Sequence, residues 1–361
     1  MSGTREGRVV RALSRWFAGS ARVLPWRTEE RDAYHVLVSE LMLQQTQVSR
    51  VIPKFEAFVS RFPSVHALAS ASEREVLEAW TGLGYYRRAR MLHAAARSIV
   101  ELHAGRVPRS AAELIELPGI GRYTAGAIAS QAFGARVPVV DGNVVRVLLR
   151  IEGRDGSASE AGTMAWCWER AGALQEAAAR ARVHPGTLNE AIMELGATVC
   201  VPRAPKCAEC PLRTMCEARR LGRQVEIPSP KVAARVREIE HIVLPVTDGR
   251  GMWLVRRRAG TLWHGLWELP TVERAAGGHR MSADVVERSL GLMKSASRSR
   301  GVAMEFSFKT SACVVAFVVR APSKIGRRGV AGEWVKLDEL KHLAMSSPQR
   351  RIVREVVCRR A

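Results

Sequence analysis

The chain of 361 residues is long enough for two ordinary domains, and its 47% apolar and 25% charged residues fit packed cores in water. It has no apolar run of 18 residues, so a membrane-spanning helix is not expected. The opening "MSGTREGRVVRALSR" lacks the apolar segment of a secretory signal, so an intracellular chain is expected. Fifty-six Lys and Arg against 35 Asp and Glu give a net charge of +21 and a pI near 10.8. The regions before and after residue 230 are both net basic, and a polyanion such as nucleic acid is the first partner to expect.

From the N-terminus, the spacing of Val9, Val10, Leu13, Trp16 and Phe17 predicts a first helix, and residues 8–200 read as helix after helix without a strand. Within residues 34–43, Glu40 sits among Val36, Leu37, Val38, Leu41, Met42 and Leu43, and "QQTQ" follows. A carboxylate in a helix that reads as buried is costly unless it is paired or used. Glu40 is therefore either the partner of a buried arginine or a group that does chemistry. Further on, Ser72 with Glu75 and Ser110 with Glu113 fit capping boxes, while Gly105 and Gly134 stand where helices end.

"LPGIGRYTAGAIASQAFG", residues 117–134, sets Gly119 and Gly121 in a turn between two helices. Free N–H groups at such a turn and helix N-terminus make an anion site suited to a DNA phosphate. Asp141, in "VPVVDGNVVRVLLR", precedes another helical run and is either an N-cap or a functional carboxylate. In "CVPRAPKCAECPLRTMC", Cys200, Cys207, Cys210 and Cys216 are separated by six, two and five residues. Four thiolates suit tetrahedral zinc or an iron–sulfur cluster, and the spacing does not separate the two. Arg203 and Lys206 within this loop read as phosphate contacts or as solvated charges, and Cys167, Cys313 and Cys358 as buried or incidental thiols.

The polar, basic stretch "RRLGRQVEIPSPKVAARVR", broken by Pro228 and Pro230, reads as a linker. Beyond it, "IEHIVLPV", "MWLVRR", "AMEFSFK" and "ACVVAFVV" are strand-like, with helical patterns at 283–290 and 349–357. The expected organisation is a mainly α-helical domain over 1–218, a linker over 219–236 and an α+β domain over 237–361.

Together, "SELMLQQTQV", "GLGYYRRAR", "LPGIGRYTAGAIA", "VDGNVVRV", "NEAIMELGATVC" and the cysteine loop resemble the adenine DNA glycosylases of the MutY type, in the helix-hairpin-helix superfamily that includes endonuclease III. The resemblance runs in unbroken order from about residue 22 to 216 and more loosely to the C-terminus. It implies a [4Fe-4S] cluster on Cys200, Cys207, Cys210 and Cys216. It also implies a catalytic set in which Glu40, its pKa raised by burial, protonates the flipped adenine, while Asp141 stays ionised beside the sugar. Tyr123 occupies the place of the lysine used by strand-cleaving relatives, and a phenol forms no Schiff base, so a monofunctional enzyme is implied. Asn143 would orient water near Asp141.

Further roles carry over in the same way. Arg22, Trp26, Leu43 and Glu190 match an adenine pocket. Gln45, Thr46, Leu83 and Tyr85 match contacts to the duplex beside an opposing 8-oxoguanine, and Gly119 and Gly121 a phosphate contact. "HGLWELP", residues 264–270, resembles a Nudix-like lesion-reading domain, yet "VVERSLGLMKSASR" lacks the glutamate-rich helix of a Nudix hydrolase, so no hydrolase activity is expected. Where the family's reading loop has Phe-Ser-His, this chain has Phe306, Ser307 and Phe308. Ser307 keeps a lesion contact, and loss of the imidazole bears on recognition rather than on excision. The implied partner is double-stranded DNA with adenine opposite 8-oxoguanine or guanine, bound by a monomer in the cytoplasm, at the nucleoid if the source is bacterial. Rival readings are an endonuclease III-like or thymine/uracil mismatch glycosylase, or a non-catalytic DNA-binding iron–sulfur sensor.

Overall fold

The computed structural model describes residues 4–230, 236–260, 262–277, 281, 283–292, 301–310, 313–327 and 330–358. Its contacts divide the chain into two units, Met1–Ala79 with Arg87–Val232 and Trp80–Tyr86 with Ala233–Ala361.

The first unit carries α1 (Arg5–Ser20), α2 (Ala33–Leu43), α3 (Val48–Arg61), α4 (Val65–Ser70), α5 (Glu73–Ala79) and α6 (Arg87–His103). It continues with α7 (Ala111–Ile115), α8 (Arg122–Phe133), α9 (Gly142–Glu152), α10 (Ala161–Arg180), α11 (Pro185–Thr198) and α12 (Glu217–Arg220). Side-chain caps set many of the boundaries. Thr4 accepts from Gly7 N at 3.2 Å to open α1, and Asp32 accepts from His35 N at 2.9 Å to open α2. Both halves of the expected capping box form at Ser72 and Glu75, and Ser110 caps α7. Gly134 ends α8 in the left-handed conformation. Between α7 and α8 the chain turns at Gly119, whose φ of +77° suits glycine. A Cβ there would also lie 2.4 Å from Met91 Cβ.

Val10 and Leu13 of α1 share a core with Val147 and Leu148 of α9, Leu174 of α10 and Leu188 of α11. Burying each such side chain fully contributes about 1.5–3 kcal/mol. Apolar on nearly every face, α2 is buried at Tyr34 and from Val36 to Met42, and packs against α3 and α8. Part of the segment expected as a linker is instead packed into this unit. Ile227 is 1% exposed, and its carbonyl accepts from the buried Arg150 Nε at 2.7 Å. Ser229 N donates to Gly156 O at 2.9 Å. An apolar side chain and a buried guanidinium that needs acceptors together hold this stretch down; residues 231–235 lie outside the described ones.

The second unit contains β1 (Arg237–Val243), β2 (Val246–Thr247), β3 (Met252–Arg257), β4 (Trp267–Glu268), β5 (Thr271–Ala275), β6 (Val302–Lys309), β7 (Cys313–Arg320), β8 (Ser323–Lys324) and β9 (Glu333–Lys336). One sheet has the order β5-β1-β7-β6, and a second has β4-β3-β2-β8 with β9 beside β3. Alternation explains the pattern: β7 buries Cys313, Val315, Phe317 and Val319 on one face. The expected helical patterns fall on α13 (Ala283–Ser289) and on α15 (Ser347–Ile352), which follows α14 (Leu337–His342) and runs into a π turn over Val353–Val357. Of the stretch read as lacking a Nudix helix, residues 293–298 lie outside the described ones. In the same unit, Tyr86 Oη donates to Met345 O at 3.2 Å.

Candidate active site

A cleft of about 540 Å³ opens in the first unit. Its walls come from the segment before α2 (Arg22, Trp26, Arg27), from α2 and the turn after it (Glu40, Leu43, Gln44, Gln45, Thr46), from α8 (Tyr123, Gln131), from the start of α9 (Asp141, Asn143) and from α11 (Glu190, Met193, Glu194). All the residues expected to be catalytic and all those expected to form the adenine pocket line it, and so do Gln45 and Thr46. Leu83, Tyr85, Gly119, Gly121 and Ser307 do not.

Glu40 is only 6% exposed. Its Oε1 accepts from Gln131 Nε2 at 3.2 Å. Burial pushes its carboxyl up to about 7, helped by the charges of Asp141 and Glu190 and opposed by hydrogen bonds from Gln131 and Tyr123. A carboxyl poised there can hold a proton near neutral pH and give it up. Burial likewise raises the Tyr123 phenol far above its ordinary value, and Tyr123 Oη lies 3.1 Å from Met193 Sδ.

Asp141 is the N-cap of α9. Its Oδ1 accepts from Val144 N at 2.7 Å and its Oδ2 from Asn143 Nδ2 at 2.9 Å. Burial pushes its carboxyl above the ordinary value, while these donors and the Arg146 charge pull it back. The expected cap and the expected functional position are therefore the same residue. Arg146 carries the network onward, donating to Asn143 Oδ1 at 2.8 Å, to Gly196 O at 2.7 Å and to Cys200 O at 2.7 Å.

The far wall of the cleft is a charge network that the sequence reading found only in part. Arg27 Nε and Arg31 Nη2 each donate to Glu190 at 2.8 Å. Arg22 Nε and Arg27 Nη2 donate to Glu194 at 2.6 and 3.0 Å. Burial alone raises the Glu194 carboxyl, yet Arg22 and Arg27 hold it below its ordinary value. Glu190 thus enters the cleft already clamped by two guanidiniums. A signal for this existed: Glu190 and Glu194 are like charges four residues apart on a largely apolar helix, a repulsive pair unless cations meet it, and Arg27 and Arg31 repeat the same spacing. Gln44, Met193 and Gln131 carried no comparable signal. Trp26 lines the cleft and also packs edge-on against Phe55, ring centroids 5.2 Å apart.

Behind the cleft, the buried Arg88 donates to Leu41 O at 3.0 Å and Met42 O at 2.8 Å, to Gln44 O, and to Thr46 Oγ1 at 2.9 Å. It gathers the carbonyls at the end of α2 and shapes the turn in which Gln45 takes a φ of +56°. Gly121 stands as N-cap of α8. Leu83 is buried and Tyr85 is 48% exposed with a φ of +48°, both in the segment that contacts assign to the second unit.

Cys200, Cys207, Cys210 and Cys216 line one small cavity together with Arg150. Arg150 Nη1 lies 3.4 Å from Cys200 Sγ and 2.8 Å from Val201 O. Among the described residues, no group of His, Cys, Asp and Glu is arranged to hold a single metal ion. Four thiols around one space are a donor set that fits a sulfur-bridged cluster.

In the second unit, Ser307 is exposed and lines a groove of about 470 Å³ on the sheet face. As the strand-like "AMEFSFK" pattern predicts, the segment matching the family's reading loop is strand: Phe306, Ser307 and Phe308 lie within β6, paired to Phe317, Ala316 and Val315 of β7. Phe308 therefore points away from Ser307, against the core and Trp263, with ring centroids 6.0 Å apart. This alternation sets position 308 on the face opposite Ser307.

A helical frame with a tight hairpin, beside a cleft holding a buried acid and a capped carboxylate, is the architecture of base-excision glycosylases. The sequence profile of the HhH-GPD superfamily base excision DNA repair proteins matches residues 38–172, and that of the NUDIX domain matches residues 242–355. The chain is 46% identical over 226 residues to the adenine DNA glycosylase of Homo sapiens, covering 60% of this chain and 40% of that protein. It is 44% identical over 225 residues to the adenine DNA glycosylase of Mycolicibacterium smegmatis, covering 62% and 72%. Among solved structures, a thermostable thymine-DNA glycosylase is 28% identical, with a TM-score of 0.53 over 60% of this chain and 98% of that one. The chain belongs to the adenine DNA glycosylase family. It spans less than half the length of the human, rat, mouse and plant relatives it matches, 40 to 46%.

Proposed function

We propose that the chain is a monofunctional DNA glycosylase that hydrolyses the N-glycosidic bond of adenine opposite 8-oxoguanine, and more slowly opposite guanine, in duplex DNA. The observation that carries this reading is one cleft in which a buried carboxyl with a pKa of about 7 lies among Tyr123, Asp141 and Glu190. The adenine leaves the stack, because its glycosidic bond is out of reach inside the duplex. Protonated Glu40 gives its proton to the purine. The C1′–N9 bond breaks with its electron pair going to the base, and the sugar passes through an oxocarbenium-like cation that the Asp141 carboxylate stabilises. Water adds at C1′ and loses a proton, leaving free adenine and an abasic site. Asn143 orients that carboxylate. Tyr123 cannot attack the sugar as an amine would, so the strand stays intact.

Trp26 and Leu43 supply apolar walls for the base, while Glu190 and Arg22 supply polar contacts. Gln45, Thr46, Leu83 and Tyr85 engage the duplex, Gly119 and Gly121 a phosphate, and Ser307 the edge of the oxidised guanine. The protein acts as a monomer inside the cell. The four cysteines hold a [4Fe-4S] cluster, whose contribution is to fix the loop that carries Arg203 and Lys206. Iron analysis of the purified protein should give four irons per chain, and zinc without iron would overturn this assignment.

The decisive test is a panel of duplexes with A, T or U opposite guanine and 8-oxoguanine, incubated with the protein, treated with alkali and separated on a denaturing gel. Cleavage should appear only for adenine and only after alkali. Excision of T or U but not A would give the chain the chemistry of a mismatch glycosylase, and binding without excision that of a sensor.

A further inference from the structure

The hydrogen bond between Gln131 and Glu40 joins two side chains that water hardly reaches. Gln131 is 5% exposed, on the last full turn of α8, and its Nε2 lies 3.2 Å from Glu40 Oε1. Every neighbour of Gln131 along buried α8 from Thr124 to Ser130 is small or aliphatic. A long polar side chain at the end of that run costs desolvation and rotamer entropy, which an aliphatic residue of similar size would avoid. Its amide is thus spent on the one carboxyl that the proposed reaction deprotonates.

We propose that Gln131 is a positioning residue for Glu40: its side-chain amide fixes the carboxyl's orientation in the cleft and strengthens it as an acid by donating to the carboxylate left behind when the proton is given up. This inference rests on Glu40 being the proton donor. An amide suits the task better than a cation. It is neutral, so it does not force Glu40 to ionise before the base arrives. By rotation it also presents an acceptor to the carboxylic acid and a donor to the carboxylate, so one residue holds both forms.

Most of the other groups facing Glu40 are charged or engaged elsewhere. Asp141 and Glu190, from α9 and α11, are anions that disfavour its ionisation. Tyr123, on α8, is a second neutral donor to Glu40, its hydroxyl shared with Met193 Sδ at 3.1 Å. Glu194, Arg22 and Arg27 in the same cleft are committed to one another. Arg88, from α6, binds the carbonyls at the end of α2, and the buried residues of α3, Val51, Phe55 and Phe58, carry no charge. Among the described side chains around Glu40, Gln131 and Tyr123 are thus the neutral donors, and of the two the Gln131 amide is bonded to Glu40 Oε1 at 3.2 Å and placed to follow the proton.

The test is the pH dependence of single-turnover adenine excision for wild type, Gln131→Leu and Gln131→Met, using one duplex with adenine opposite 8-oxoguanine. Excision requires protonated Glu40, so the rate falls on the alkaline side as pH passes its pKa. Removing a donor to the carboxylate raises that pKa. The alkaline limb should therefore move up by about 1 pH unit, while the plateau rate drops about tenfold because the acid is weaker and less oriented; a hydrogen bond to a charged group has this worth. Duplex affinity and thermal midpoint should change little, and Gln131→Glu, which keeps a polar partner but adds a second acid, should move the limb higher still. An unmoved or lowered limb in a folded Leu or Met variant overturns the inference. So does a weaker Kd with an unchanged limb, which would make Gln131 a base contact instead. A wild type that excises no adenine at any pH removes the proposed function itself, whereas a wild type with an alkaline limb indifferent to position 131 removes this inference alone.

Discussion

At the scale of single residues, Glu40 does two things that separate experimentally. Glu40→Gln should abolish excision while duplex binding persists, since an amide cannot deliver the proton; full activity would remove Glu40 from the chemistry. The same residue makes folding depend on pH. Its folded pKa of about 7 lies above the ordinary 4.5, so the folded chain keeps a proton that the unfolded chain releases. Stability is then greatest below pH 4.5 and falls as pH rises through 7, by roughly 3 kcal/mol at most for a buried group. Urea denaturation at pH 5 and pH 8 should show this loss in wild type and not in Glu40→Gln; equal losses would place the effect elsewhere. Phe308 answers to the same kind of accounting. Because its ring packs against the core and Trp263, Phe308→His should lower stability by about 1 kcal/mol and leave the preference for 8-oxoguanine unchanged. A sharpened preference would show that the ring reaches the lesion after all. Ser307, on the exposed face, is the position where an alanine should shift that preference.

Helix α9 shows how one element serves structure and chemistry with the same atoms. Asp141 satisfies Val144 N as a cap while its second oxygen takes Asn143. Aspartate and asparagine cap about equally well, and losing the cap to alanine costs about 1 kcal/mol. Asp141→Asn should therefore fold with nearly wild-type stability and lose excision, whereas Asp141→Ala should lose both. Thermal unfolding beside single-turnover rates separates the roles, and an active Asp141→Asn would leave Asp141 with its cap alone. Helix α11 is the counterpart: Glu190 and Glu194 stay on one buried face only because three arginines from the segment before α2 meet them. An element that would repel itself in isolation is made rigid by another part of the chain.

Across the whole molecule, the net charge of +21 predicts a binding constant governed by salt. Each phosphate neutralised releases counterions, so six to ten contacts would weaken duplex binding by roughly 10³–10⁵ between 50 and 200 mM salt. Titrating one duplex at several salt concentrations should give a steep linear loss in log affinity, identical for matched and mismatched duplexes. A flat dependence would mean that the basic surface faces something other than DNA.

What the sequence determined by itself is whatever local pattern encodes. Helical periodicity, the caps at Ser72, Ser110 and Asp141, the turn at Gly119, the cysteine cluster and the strand alternation after residue 237 all act over a few residues, and each stands in the fold as its own neighbours dictate. Glu40 was legible for a related reason: a charge in an apolar helix is an anomaly within its own window. Tertiary structure alone decided which distant groups meet. Gln131 reaches Glu40 across 91 residues, Arg27 reaches Glu194 across 167, and Arg150 reaches Ile227 across 77. That last contact is why part of an apparent linker is core. The facing of Phe308 also needed the register of β6 against β7, because a strand's period of two assigns neighbours to opposite faces only once one face has found a core. Desolvation of Glu40 has the same origin: its pKa is set by helices that the sequence near residue 40 does not contain.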